Sequence, residues 1–272
     1  MTGMTRTELL ALLQQVDLRG NQLVVHVALS SLGHVDGGAR TFCEALIEAV
    51  GDRGTIVMPA FTCREIMQRV TGSDQARPLA FHPDFPVSRD LGVVAEAFRR
   101  LPGVVRSNHP THSFAAWGRQ ARDVLSTQRD NNPLGPLKKL NLVQGQLLLI
   151  GTTLQAATVI HLAEERASLP YLQRCTAVRV NAAGYDERVV LEHVPGCSTA
   201  FVKLEPRLDP AKVRTVPLPR GMARKIPIRY VVQLATKLLE ADPAAFICDD
   251  QACTGCAPKR EAVAAAGTTP AG

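Results

Sequence analysis

The apolar positions of this chain fall into short unbroken runs separated by longer stretches with helical spacing. Leucines over residues 5–16 recur on one face, predicting a first helix with Thr5 or Thr7 as its cap. Residues 21–29 are β-rich and apolar on both faces, as a central strand requires. A small-residue loop over 30–38 follows, then helical spacing over 39–50 and a second strand over 54–60. Strand, glycine loop, helix and strand make a βαβ unit, which predicts parallel pairing with helices on both faces.

Between residues 61 and 90 the periodicity dissolves around Pro78, Pro83 and Pro86, and a loop of that length reads as functional. Helical patterns return over 91–101 and 119–127, and a further helix starts within 131–136. Residues 147–150 form an apolar strand stopped by Gly151, with a helical pattern running on to Arg166. Residues 177–180 and 188–192 flank a turn as a β-hairpin, residues 228–240 read as a helix, and the Ala/Gly-rich tail from Ala257 reads as frayed. The expected fold is α/β: a central mixed, largely parallel sheet flanked by helices, with a smaller C-terminal α+β portion. It occupies one domain over 1–272, subdivided at most into 1–170, 171–260 and a frayed 261–272.

Composition narrows the function classes. With 272 residues the chain can bury a large core. An aromatic content of 4% argues against a stacking surface for nucleic acid, and no apolar run is long enough to span a membrane. The N-terminus lacks the layout of an export signal, and seven cysteines, an odd number, read as reduced thiols, so a cytoplasmic protein is expected. The net charge of +6 is concentrated between residues 201 and 230, where eight Lys and Arg stand against Glu205 and Asp209. Such a field favours an anionic ligand, for example a nucleotide phosphate, unless it is simply a solvated surface.

Several segments carry candidate chemistry. The 30–38 loop ends a buried strand and opens a helix, so its backbone N–H groups can hold a phosphate, although no GxGxxG or GKS/T pattern is present. His161, with Glu164 and Glu165 one turn further on, is placed to act as a general base or to sit as a surface histidine among solvated carboxylates. Residues 106–114 (RSNHPTHSF) read as a ligand-contacting loop or as a polar turn. Cys197 follows a glycine but has no GxSxG-like setting for a nucleophile. Cys248, Cys253 and Cys256 resemble part of a zinc site but lack a fourth ligand nearby in sequence, although Cys197 or Cys175 could approach in the fold; no metal is expected.

Taken in order, seven segments resemble the aminoglycoside 3-N-acetyltransferase family. They are VHVALSSLGHVDGG over 25–38, GTIVMP over 54–59, LGVVAEAFR over 91–99, RSNHPTHSFAAWG over 106–118, GQLLLIG over 145–151, IHLAEER over 160–166 and GCSTAF over 196–201. The resemblance implies transfer of an acetyl group from acetyl-CoA to an amine. Ser30, Ser31, Leu32, Gly33, Val35, Gly37 and Gly38 would then hold pantetheine and pyrophosphate, assisted by Ser107, Ser113 and Phe114. His161 matches the family's active-site histidine and Glu192 falls near its catalytic glutamate, leaving Glu164 and Glu165 structural. The implied partners are an amine substrate and coenzyme A, with a homodimer left open and neither nucleic acid nor membrane involved.

Two departures from the family stand out. Leu154 and Gln155 occupy positions where many members carry His-Asp, and residues 61–80 hold only Glu65 and Asp74 against Arg64, Arg69 and Arg77. Coulomb repulsion disfavours a polycationic substrate there. The alternative to an aminoglycoside is therefore another natural-product amine, one that can carry an anionic group.

Overall fold

A computed structural model describes residues 3–66, 79–167 and 173–267. Arg69, Asp74, Arg77 and Pro78 of the expected loop, and the tail beyond 267, lie outside the described residues. In chain order the elements begin with α1 (Arg6–Gln15), β1 (Gln22–Val27), α2 (Gly38–Val50), β2 (Thr55–Pro59), α3 (Cys63–Ile66) and β3 (Ala80–Phe81). They continue with α4 (Gly92–Arg99), β4 (Val105–Arg106), β5 (Phe114–Gly118), α5 (Ala121–Leu125), α6 (Gly135–Leu142) and β6 (Gln146–Ile150). Then follow α7 (His161–Arg166), β7 (Gln173–Val180), β8 (Asp186–Val194), β9 (Arg214–Leu218), β10 (Gly221–Pro227), α8 (Ile228–Ala241) and α9 (Ala257–Gly267).

Local chemistry explains the first boundary. Thr5 caps α1, its hydroxyl accepting from the Glu8 N–H at 3.3 Å while the Glu8 carboxylate accepts from the Thr5 N–H at 2.8 Å. This reciprocal box satisfies two N–H groups that the helix cannot bond internally.

The main sheet has the order β4-β5-β2-β1-β6-β10-β9. β1 pairs in parallel with β2 on one side and β6 on the other, as the βαβ pattern predicts. The outer pairings, β2 with β5, β5 with β4, β6 with β10 and β10 with β9, are antiparallel. The sheet is thus mixed, but parallel only at its centre, which corrects the expectation of a largely parallel one. Short connections explain two of these pairings, since β4 and β5, and β9 and β10, follow each other too closely for a helical crossover. The C-terminal strands also extend this sheet instead of building their own; the smaller sheet is the β7–β8 hairpin with β3 beside it, in the order β3-β7-β8.

Alternation on β6 distributes the core. Leu147 and Leu149 face one hydrophobic cluster, together with Val24, Val57 and residues of α6 and α8. Leu148 and Ile150 face the other, with Val25, Ile56 and residues of α1, α2 and α4. A strand buried on both faces cannot show alternation in its sequence, which is why this run reads as uniformly apolar. Each such side chain contributes about 2 kcal/mol relative to exposure. The tail departs from expectation as well: Ala257–Gly267 is helix α9, not frayed chain, and its Lys259 is fully buried.

Candidate active site

A cleft of about 930 Å³ opens where the three parallel strands end. Val27 closes β1, Pro59 closes β2, and Thr152 follows β6, and all three line it. Ligand sites of open α/β sheets lie at this carboxyl edge because the loops diverge there. His161 and His112 lie on its walls, with Phe61, Thr153 and Cys197.

The chain delivers His161 through a constrained turn. Gly151 ends β6 at φ +63°, and a Cβ there would lie 2.0 Å from Ser31 Oγ, so only glycine fits between the two loops. Thr153 then caps a short 3-10 turn by accepting from the Gln155 N–H at 3.3 Å, and a second such turn leads into α7. His161 is the first residue of α7 and is 4% exposed.

Its Nδ1 lies 2.6 Å from Oε2 of Glu164, one helical turn on and fully buried. The other Glu164 oxygen accepts a hydrogen bond from the buried ammonium of Lys259. Lys259 also donates to the Cys197 carbonyl at 3.1 Å and lies 5.6 Å from the centre of the Phe201 ring, against whose edge His161 packs at 4.8 Å. Burial alone would raise the Glu164 carboxyl, but His161 and Lys259 on its two oxygens outweigh burial and hold it below its ordinary value. With a carboxylate bound at Nδ1, the imidazole presents Nε2 as its proton-accepting atom.

Glu192 is not the partner of His161, which corrects the sequence expectation. Along β8, Val189 and Leu191 point inward and Glu192 points out, as the strand's period of two demands. Its side chain is 48% exposed and lies 3.7 Å from Arg174 across the hairpin. Glu164, read from sequence as merely structural, holds the position instead. Glu165 turns away to pair with Lys138 at 2.6 Å.

The 106–114 segment forms a buried scaffold beside the cleft. Arg106 Nε donates to Ser113 Oγ at 3.0 Å, and its other donors bond carbonyls of Ala60, Pro83 and Phe85. Ser113 donates to the Ala60 carbonyl at 2.8 Å, Ser107 accepts from the Phe114 N–H at 2.9 Å, and Phe114 packs against Phe61. These three expected coenzyme contacts are thus committed to holding the loop: Ser113 and Phe114 have no exposed surface and Ser107 has 9%. His112 reaches the cleft with Nδ1 2.9 Å from Thr111 Oγ1. Burial, with smaller contributions from His109 and His161, keeps it well below the ordinary histidine range and therefore neutral.

The 30–38 loop leaves β1 just beyond the cleft. Leu32 and Val35 anchor it in the core. Ser31 Oγ is buried with no hydrogen-bond partner among the described residues. Gly37 precedes α2 without a side-chain cap, and nothing stands within 4 Å of a Cβ at Gly33 or Gly38. An uncapped helix start, an unpaired hydroxyl and open space above the glycines fit a phosphate or an amide-rich arm. The basic segment approaches from the other side: the Arg220 N–H bonds the Ser31 carbonyl at 2.9 Å, and Arg224 bonds Glu205 at 2.9 Å and the Thr152 carbonyl at 3.1 Å.

This geometry defines an α/β protein with a carboxylate-oriented histidine at a deep cleft and an anion-ready loop beside it. Residues 24–240 match the family described as aminoglycoside 3-N-acetyltransferase, and the chain belongs to that family. It is 36% identical over 168 residues to the SPbeta prophage-derived aminoglycoside N(3')-acetyltransferase-like protein YokD of Bacillus subtilis (strain 168), a match covering 56% of this chain and 61% of that protein. Among solved structures it resembles a histidine-to-alanine variant of the aminoglycoside acetyltransferase AAC(3)-IVa in complex with a gentamicin, with TM-score 0.77 and 30% identity over 96% of this chain and 98% of that one. It also resembles AAC-IIIb in binary complex with CoASH, with TM-score 0.77 and 25% identity over 88% of this chain and 97% of that one.

Proposed function

We propose that this chain transfers the acetyl group of acetyl-CoA to an amine of an aminoglycoside, with His161 as general base and Glu164 as the residue that orients it. The observation that carries the reading is the buried Nδ1 contact of 2.6 Å between His161 and Glu164 on the cleft wall. An ammonium cannot attack a thioester until it loses a proton. His161 Nε2 takes that proton as the nitrogen adds to the acetyl carbonyl; the C–S bond then breaks and the coenzyme leaves as its thiolate, with no acyl-enzyme required. Glu164 stabilises the imidazolium that forms, and Lys259 keeps Glu164 ionised inside the protein. Ser31 and the N–H groups at the start of α2 would hold the pantetheine–pyrophosphate arm. The free cysteines and the proposed use of acetyl-CoA support a cytoplasmic reading, and none of the described helices is long and apolar enough to cross a membrane.

A second reading keeps the chemistry and changes the amine. Asp90 is the one carboxylate among the described residues lining the cleft, and Arg64 pairs with it at 2.9 Å. Leu154 is buried, leaving uncharged Gln155 on the cleft wall. A polycationic antibiotic finds little attraction there, whereas a less basic or anionic amine fits. Following thiol release with acetyl-CoA and a panel of aminoglycosides separates the two. Turnover of any member supports the first reading, and silence across the panel with turnover of an anionic amine establishes the second.

A further inference from the structure

We propose that Cys197, Cys248, Cys253 and Cys256 form a tetrahedral tetrathiolate site for one structural zinc ion. Their four sulfur atoms all lie within 4.8 Å of one another. Four sulfurs around zinc, each at about 2.3 Å in tetrahedral array, stand about 3.8 Å apart, so the cluster already has the required size. All four cysteines are free of disulfides. No carboxylate or histidine belongs to the cluster, and soft thiolates without hard donors select zinc over magnesium or calcium.

The backbone around the sulfurs is arranged for metal-bound thiolates. The Thr199 N–H points at Cys197 Sγ at 3.4 Å and the Cys248 N–H at Cys256 Sγ at 3.5 Å, donors of the kind that stabilise charge on sulfur. Two glycines let the loops meet. A Cβ on Gly196 would lie 2.8 Å from the Gly255 carbonyl, and one on Gly255 would lie 3.1 Å from Cys197.

Zinc with four thiolates carries two net negative charges, and cations stand around it. Arg260 donates to the Cys253 carbonyl at 3.0 Å and the Gln251 carbonyl at 2.9 Å, Lys203 to the Ile247 carbonyl at 3.1 Å, and Lys259 to the Cys197 carbonyl. With every coordination position filled by sulfur the site is closed, hence structural and not catalytic. It joins the 196–199 loop to the start of α9 and so seats Lys259 beneath Glu164, whatever amine the cleft accepts.

Elemental analysis of the full chain, expressed without a metal-chelating tag, is expected to return about one zinc per molecule. Iron in its place, or no stoichiometric metal, overturns the assignment. Cobalt exchanged into the protein should give the intense ligand-field and sulfur-to-metal charge-transfer bands of a tetrahedral tetrathiolate, and weak octahedral bands would count against it. The double variant Cys253→Ser/Cys256→Ser should lose the metal and melt earlier, while Cys175→Ser keeps a full equivalent. Full zinc retained in a soluble double variant refutes the site. Where that variant fails to fold, the wild-type metal count and cobalt spectrum decide alone.

Discussion

Two histidine-bearing segments meet at the same cleft, and burial alone does not distinguish them. His109 and His112 sit within the Arg106-braced loop, where no carboxylate among the described residues bonds either ring. His109 Nδ1 accepts the His112 N–H at 3.0 Å, and burial, with Arg179 nearby, pushes its proton affinity down to about 3. His161 is equally buried, yet its Nδ1 faces an ionised Glu164 that Lys259 steadies from the far side. A histidine without a counter-charge becomes a neutral structural acceptor, and one with a buried carboxylate can become an imidazolium during turnover. The partner, not the burial, separates the scaffold histidines from the one proposed as base.

The largest test of that contrast is His161→Ala. It should lower kcat by about 10²- to 10⁴-fold, the usual contribution of a general base, while coenzyme binding measured by calorimetry stays near wild type. A wild-type rate would remove His161 from the mechanism. Glu164→Gln should reduce kcat and also destabilise the fold by ~3 kcal/mol, because it removes the carboxylate that the buried Lys259 ammonium bonds; thermal melting reads the second effect. Glu192→Gln should change neither, and a rate loss there comparable to that of Glu164→Gln would restore the surface carboxylate to the mechanism.

Smaller effects should appear on the scaffold side. His109→Ala deletes the acceptor of a buried N–H and should cost about 1–3 kcal/mol of stability in denaturant unfolding, with turnover per folded molecule nearly unchanged. Acid should reveal the same group. Its folded proton affinity lies below its unfolded one, so the unfolded chain binds the extra proton as pH drops. Stability should be full above about 6.5 and fall progressively toward pH 3, and His26, held near 4 by burial, acts in the same direction. Glu164 adds a further loss only below about 4.5, as pH falls through its depressed value. Equal melting temperatures at pH 7 and pH 5 would contradict this assignment.

Legibility in the sequence followed the range of the interactions. The Thr5 capping box, the βαβ unit and the β7–β8 hairpin are local, and each could be read from neighbouring residues. The sheet's parallel centre followed from that unit, but its antiparallel wings did not, since pairing of β10 with β6 joins segments about seventy residues apart in a way no short pattern encodes. Ser107, Ser113 and Phe114 stood in a recognisable motif, yet Ser113 bonds Arg106 and Ala60, Phe114 packs on Phe61, and Ser107 bonds the Phe114 backbone, and none of the three lines the cleft. Lys259 left no sequence signal beyond its place three residues after Cys256.

By itself the sequence determined the family and the central strands and singled out the 30–38 loop and His161 as candidates, because runs of adjacent residues carry all of these. Only the tertiary structure decided the partner of that histidine. The choice between Glu164 and Glu192 depends on which carboxylate the fold buries and neutralises. A period of two turned Glu192 to solvent, while a helical turn put Glu164 beneath the imidazole. The long-range approach of α9 then brought a buried ammonium to its other oxygen, which together with His161 outweighs burial and holds the carboxyl below its ordinary value.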